Sequence, residues 1–226
     1  MPKWGLTLSS ASLTQAFGQN HRAGYGPPPS KWKGICQIGD SFGPEKCNGK
    51  IIGARWYTAD VDKALLNGEF LSPRDANDHG THTASTAAGN LVHNVSLHGL
   101  AAGDERGGAP RARIAVYKVC WGIRSVRLIC SEAAAAKAID DAIHDGVDVL
   151  SISMYGPLFL PASLLAVAKG VSVVYSVGNE GPSAETVQNM APWLLTVAAA
   201  TIDQLFPTTK TLGSGQKLVD NLYSRM

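Results

Sequence analysis

The sequence predicts an α/β domain built on a doubly wound parallel sheet. From Ala112 onward, short runs rich in β-branched residues alternate with alanine-rich stretches of helical spacing. The β-branched runs are continuously apolar, as expected of strands that helices cover on both faces. With 226 residues, of which 45% are hydrophobic and 17% charged, the chain can bury a core and has the size of one domain.

Strands and helices follow one another along this half of the chain. RIAVYKVC predicts the first strand, and SEAAAAKAIDDAIHDG a helix that Ser131 caps and Gly146 ends. VDVLSIS predicts a second strand, PASLLAVAKG a helix closed by Gly170, VSVVYSV a third strand and WLLTVAAAT a fourth. FPTTKTLGSGQKLVDNLY resembles a hairpin with its turn at Gly213 to Gly215. The first 25 residues show no periodicity, and we expect no clear element there.

The charge pattern argues against nucleic acid and anionic membranes as partners. Twenty basic and 18 acidic residues give a net charge of +2, without runs of one sign. No apolar stretch approaches the roughly 20 residues that cross a bilayer. The opening MPKWGLTLSSASLTQAFGQ lacks a continuous apolar run and is a poor secretory signal.

Two further patterns bear on the cellular compartment. Cys36 and Cys47 bracket a short loop and are a disulfide candidate, with free thiols as the open alternative. Cys120 ends an apolar run, so we expect it to be a small buried hydrophobe, and the pattern does not decide the state of Cys130. Asn94, in NVS, is a candidate glycosylation site by its triplet alone.

The stretch DANDHGTHTASTAAG, residues 75–89, combines two histidines with unusually small side chains. Asn77 or Asp78 can cap a helix that begins near His79, and the Ala, Ser and Thr residues that follow allow that helix to press closely on its neighbours. We therefore predict a deep helix with His79 at its exposed amino end. The helix dipole there favours the neutral imidazole that a general base requires.

The histidine stretch and six other segments resemble the subtilisin-like serine proteases, specifically the plant branch that includes cucumisin. These segments follow one another in the family's order from about Gly24 to Tyr223: KWKGIC, CNGKIIGARWY, GGAPRARIAVYKVCW, DDAIHDGVDVLSIS, SVGNEGP and TVAAATIDQLFPTTKTLG. The resemblance implies an incomplete sheet of the subtilisin type, with an atypical segment over residues 1–23 and a partial peptidase domain over 24–226. It also implies a polypeptide substrate or peptide ligand, no cofactor, and an extracellular or secretory location.

The resemblance carries roles to particular residues. His79 falls at the family's general base and His82 at a structural companion, while Asn179 falls at the side-chain donor to the oxyanion of the tetrahedral intermediate. The family strand that pairs with the substrate backbone corresponds to Ser153, Met154, Tyr155 and Gly156.

The aspartate and serine that the mechanism also needs are absent from these 226 residues. The family aspartate precedes the KWKGIC segment, where this chain has LTQAFGQNHRA; Asp40 follows that segment and is expected to be a loop residue. The family serine begins a G-T-S-M helix that this sequence does not contain, and Ser214 lies in a predicted surface turn. In subtilisin, losing the serine lowers turnover about a million-fold and losing the aspartate about ten-thousand-fold. We therefore expect an inactive chain whose sheet lacks its early central strand and the serine-bearing helix, with apolar rims exposed and poor solubility.

Three hypotheses stay open at this point. The chain is part of a protease whose activity belongs to a longer form, or a pseudoprotease that binds extended peptides without cleaving them. In the third, the two histidines bind a metal with His93 or His98; their three-residue spacing and the lack of acidic or cysteine ligands argue against it, so we expect no metal.

Overall fold

The computed structural model describes residues 5–8, 24–66, 68–97, 99–123, 127–154, 160–200 and 207–221. The helices are α1 (His79–Ala88), α2 (Glu132–Asp145) and α3 (Leu160–Ala168). The strands are β1 (Gly5–Leu8), β2 (Ile51–Trp56), β3 (Val92–Leu97), β4 (Leu100–Glu105), β5 (Ile114–Lys118), β6 (Cys120–Ile123), β7 (Arg127–Cys130), β8 (Val149–Ile152), β9 (Ser172–Ser176), β10 (Leu195–Val197), β11 (Pro207–Thr211) and β12 (Lys217–Asn221).

Six strands form one parallel sheet in the order β10-β9-β8-β1-β5-β2. At its centre β1 pairs with β5 on one side and β8 on the other, so that Leu8 lies in register with Tyr117 and Ile152. The expectation of no element in the first 25 residues and of a missing central strand was therefore wrong. A four-residue strand is too short to show a period in the sequence, and its hydrogen bonds to both neighbours hold it in place.

Helices lie on both sides of this sheet. Along β5, Ile114 and Val116 belong to a core cluster with Ala84 and Ala88 of α1. Ala115 and Tyr117 point to the opposite side, into a larger cluster with the buried face of α2 and with Ala166 of α3. Ser131 accepts a hydrogen bond from the Ala134 amide at the start of α2, and Gly146 ends the helix with φ 90°. Both ends of α2 agree with the prediction.

The α1 side of the sheet is left open beyond β1. Leu150 and Ile152 of β8 and Val173 and Tyr175 of β9 are buried against α2 and α3. Because neighbouring residues of a strand face opposite sides, Val174 faces the α1 side, and Leu195 of β10 lies in register with it. Leu195 is 62% exposed and Val197 50% exposed. None of the described helices covers Leu195 and Val197 on this face of the sheet. Apolar side chains were expected to be exposed at the edges of the sheet, and these two are.

Two disulfides join nearby segments. One links Cys36 to Cys47, and the other links Cys120 to Cys130 across the β6-β7 ribbon. The prediction for Cys120 was wrong in part, since this residue is buried but bonded to Cys130. The sequence did not predict this disulfide, because Cys120 and Cys130 lie ten positions apart and become cross-strand neighbours only when the β6-β7 ribbon forms. The β3-β4 and β11-β12 pairs are the other antiparallel ribbons of the described chain, and the latter has the predicted hairpin turn.

A buried carboxylate ties α2 to the sheet. Asp145, 3% exposed, accepts two hydrogen bonds from Arg55 of β2, at 2.8 and 2.7 Å, and one from the Tyr117 hydroxyl of β5 at 2.5 Å. Tyr57 likewise donates to Asp141, one turn earlier on α2. These bonds satisfy charges that would be costly to bury alone.

Candidate active site

His79 occupies the first position of α1 and is exposed, as predicted. The helix buries Gly80, Ala84 and Ala88, whose small side chains let it lie close to the sheet. The predicted cap is different. Asp78 is the N-cap residue, but it has φ 67° and its side chain caps no amide, and Asn77 does not cap the helix either.

The carboxylate that serves the amino end of α1 belongs to Asp75. Its Oδ1 accepts from the amides of Asn77 and Asp78, at 2.8 and 3.0 Å. Its Oδ2 accepts from the amide and the hydroxyl of Thr81, at 3.0 and 2.9 Å. Asp75 is only 3% exposed. It thus supplies acceptors to amide groups that a helix start leaves unpaired.

A buried lysine holds the segment that leads into Asp75. The ammonium of Lys118, at the end of β5, donates to the carbonyls of Phe70 and Arg74 and to Glu69 Oε2, at 3.2, 2.7 and 3.1 Å. It also lies 4.2 Å from the ring centre of Trp121. Burial lowers the pKa of Lys118, whereas Glu69 and Asp75 act in the opposite direction.

A cleft of about 440 Å³ separates α1 from the carboxyl-terminal halves of β8 and β9 and from β10. His82 lines it from the helix, and Ser151, Ser153, Ser176 and Val197 line it from the sheet. Its described lining contains no Asp, Glu, Lys or Arg. The structure therefore brings Ser153 to the same cleft as the second histidine, while His79 begins the helix one turn before that histidine.

Met154, two residues after the end of β8, is buried, and its carbonyl already accepts hydrogen bonds. Asn189 Nδ2 donates to the carbonyls of Met154 and Ser176, at 3.1 and 2.8 Å, and Ser176 Oγ also approaches the Met154 carbonyl at 3.3 Å. Thr196 Oγ1 donates to the Asn189 carbonyl, so this asparagine joins the ends of β8, β9 and β10. No pattern around Asn189 predicted that role. Tyr155 and Gly156 lie outside the described residues.

Asn179 lies in the loop after β9 and is exposed. The backbone N–H of Asn179 donates to the carboxylate of Glu180 at 2.9 Å, and Gly178 before it has φ 95°, a conformation that suits glycine. The loop closes where the Gln188 amide donates to the Val177 carbonyl at 2.9 Å. Asn179 does not line the described cleft. It lies beyond the end of β9, and no described contact connects it to His79.

Asp40 and Ser214, which imitate the missing acid and nucleophile in the sequence, are engaged elsewhere in the structure. The strand GLTL and the whole of residues 1–23 contain no Asp or Glu. Asp40 pairs with the backbone of Leu71, through a carboxylate bond of 3.0 Å and an amide bond of 3.2 Å. Ser214 is exposed in the turn between β11 and β12 and accepts from the Gln216 amide.

The remaining candidates lie elsewhere. Asn94 is exposed on β3, and His93 on the same strand pairs with Asp104 at 2.8 Å. The described residues contain no cluster of three or more His, Cys, Asp or Glu side chains able to hold a metal ion, and His98 lies outside them. No helix in the described part of the chain is both long and apolar enough to span a membrane.

Sequence comparison shows which known proteins this chain resembles. A family model described as "Subtilase family" matches residues 36–220. The subtilisin-like proteases SBT3.13 and SBT3.3 of Arabidopsis thaliana are 51% and 47% identical to this chain over 86% and 91% of its length. In both cases the match covers 28% of the relative, so the chain spans less than a third of these proteins.

A solved structure, that of the prenylagaramide maturation protease PagA, matches with a TM-score of 0.47 and 17% identity over 87% of this chain and 53% of that one. This likeness is too distant to support an argument. The family match covers most of the chain and includes the histidine helix, the cleft and the Asn179 loop. The chain belongs to the subtilase family.

Proposed function

We propose that this chain is the histidine-bearing part of a subtilisin-type serine endopeptidase and that it does not hydrolyse peptide bonds alone. The observation that carries the proposal is the pairing of an exposed His79 at the amino end of α1 with a central strand, β1, that contains no acid. In this proposal His79 is the base, and the groups that would orient it and attack the carbonyl are not among these residues.

The position of β1 supports this reading. Catalytic groups of open parallel sheets gather at the carboxyl ends of the strands. β1 ends at Leu8, between the ends of β5 and β8, and offers no carboxylate from its four residues. Peptide hydrolysis would then require both an acid and a nucleophile from another polypeptide segment.

The test is a peptidase assay on the purified chain and on its His79→Ala variant. We expect casein and fluorogenic peptides to be cleaved by neither protein above the buffer rate. Cleavage by the wild-type chain that disappears in His79→Ala would contradict the proposal. The variant is informative because the His79 side chain is exposed, so its replacement should leave the fold intact.

A second candidate function is peptide binding without cleavage, with Ser153 to Gly156 as the pairing strand. The uncharged lining of the 440 Å³ cleft favours it, since an extended apolar peptide could enter without burying an unpaired charge. Titration with unlabelled peptides up to millimolar concentration tests it. Saturable binding that weakens in Ser153→Trp is expected, and absence of saturation would remove this candidate.

We further propose a doubly wound sheet of the subtilisin type, with the partial peptidase domain starting near residue 24 and β1 contributed by the preceding segment. Helices on both faces support this topology. We also propose an extracellular or secretory location, supported by the pairing of all four cysteines in disulfides and by the exposed acceptor triplet at Asn94. Glycosidase treatment of the protein secreted by a plant host would test the last point.

A further inference from the structure

We propose that Asp75 is the positioning residue of His79. This inference rests on the proposed function, in which His79 is the proton acceptor of a peptidase. It assigns to a residue four positions upstream the task of holding the histidine's backbone in one place.

Asp75 holds the chain on both sides of His79. One carboxylate oxygen binds the amides of Asn77 and Asp78, which precede the histidine, and the other binds the amide and hydroxyl of Thr81, which follows it. All four bonds measure between 2.8 and 3.0 Å. The segment from Asp75 to Thr81 is thereby closed around a single side chain, and the backbone of His79 cannot shift without breaking one of these bonds.

The local backbone needs this support. Asp78, directly before the histidine, has φ 67°, a left-handed conformation that non-glycine residues adopt at a cost. Its own side chain makes no capping bond to the helix. The conformation therefore depends on Asp75, whose Oδ1 accepts from the Asp78 amide.

Asp75 is itself held from the sheet. It is 3% exposed, and the carbonyl of the preceding residue, Arg74, accepts from Lys118 Nζ at 2.7 Å. Lys118 is fully buried at the end of β5. Hydrogen bonds from Lys118 thus hold the Glu69 to Arg74 segment on the central sheet, and the chain continues from Arg74 directly into Asp75.

The experiment compares Asp75→Asn with Asp62→Asn in the chain carrying ¹³C,¹⁵N-labelled histidine. Asparagine keeps the size of aspartate but replaces one acceptor oxygen with an NH₂ group, so it cannot serve both sides of His79. Asp62 is a matched control, because it is exposed and caps the short 3₁₀ turn Lys63–Leu65 by accepting from the Ala64 amide. If Asp75→Asn fails to fold, Thr81→Val replaces it as the test variant. Thr81→Val removes the hydroxyl that donates to Asp75 and retains the backbone amide that also donates to it.

The readout is the χ1 rotamer of His79, measured by three-bond couplings to its ring Cγ, with His144 on α2 as an internal reference. We expect one dominant rotamer in the wild-type chain and in Asp62→Asn. In Asp75→Asn or Thr81→Val, the population of a second rotamer should rise about five-fold, the effect of losing roughly one hydrogen bond, while His144 stays unchanged.

An unchanged His79 rotamer in Asp75→Asn and in Thr81→Val, even with a lower melting temperature, would overturn the proposal and leave Asp75 a structural residue. The test is independent of the proposed function. Peptidase activity in the wild-type chain would refute the proposed function without changing the rotamer result. An unchanged rotamer would refute the role of Asp75 without changing the result of the peptidase assay.

Discussion

Two buried tyrosines offer a matched test of the packing described here. Tyr117 on β5 and Tyr175 on β9 are each 1% exposed and belong to the same core cluster. The Tyr117 hydroxyl donates to Asp145 at 2.5 Å, whereas the Tyr175 hydroxyl has no hydrogen-bond partner among the described residues. Burial raises the pKa of both phenols, so both hydroxyls are protonated at neutral pH. Replacement by phenylalanine removes one oxygen in each case.

The two substitutions should change stability in opposite directions. A hydrogen bond to a charged group contributes about 1.5 to 3 kcal/mol, so Tyr117→Phe should lower the free energy of unfolding by about 2 kcal/mol. An unpaired buried hydroxyl costs about 1 to 3 kcal/mol, so Tyr175→Phe should raise it by about 1 kcal/mol. For a chain of this size the melting temperature moves by about 2 to 4 °C per kcal/mol. We expect a rise of about 3 °C for Tyr175→Phe and a fall of about 6 °C for Tyr117→Phe.

Urea unfolding followed by tryptophan fluorescence, together with calorimetry, measures both changes under one set of conditions. The slope of the free energy against urea should stay the same in both variants, because neither alters the surface that unfolding exposes. If Tyr175→Phe lowers the free energy of unfolding by 1 kcal/mol or more, the reasoning is refuted, since that result would show that the hydroxyl has a partner. Equal effects of the two substitutions would refute it as well.

Burial, with a smaller contribution from Arg111, lowers the pKa of Lys50 from 10.5 to about 8. The unfolded chain binds the proton of the Lys50 ammonium more tightly than the folded chain does. The free energy of unfolding should therefore rise between about pH 8 and 10.5, by at most about 3 kcal/mol. The difference in urea midpoint between wild type and Lys50→Met isolates this effect, and a constant difference across that range would contradict it. Replacing Cys120 and Cys130 by alanine should lower the free energy of unfolding by about 2 to 4 kcal/mol, and no change in urea midpoint would count against this. Because Val197 is 50% exposed on the open face of the sheet, the chain should be poorly soluble alone. Val197→Lys should increase the soluble yield more than Val219→Lys on the β12 hairpin strand, and equal soluble yields of the wild type and Val197→Lys would exclude this explanation.

The sequence predicted the elements whose signals are local. The start of α2 is marked by Ser131 and its end by Gly146. The strands β8 and β9 are recognisable from their apolar, β-branched composition. The sequence did not predict the strand β1, because its place depends on pairing with residues more than 100 positions away. Only tertiary contacts identify such a short segment.

The site followed the same division. The exposed position of His79 at a helix start was predicted, since helix starts and small residues are visible along the chain. The side chain that accepts from the amides of the helix start was not predicted, because the pattern pointed to Asn77 or Asp78 and only burial and hydrogen-bond geometry identify Asp75. Asn189 was missed for a similar reason: it joins three strand ends, and nothing in its neighbours marks that role.

Labelling with a serine-directed fluorophosphonate tests most directly whether this polypeptide holds only the proton-accepting part of a peptidase. The purified chain should remain unlabelled under conditions in which an active serine protease reacts to completion. Stoichiometric labelling of the chain, abolished by replacing one of its own serines, would contradict the proposal.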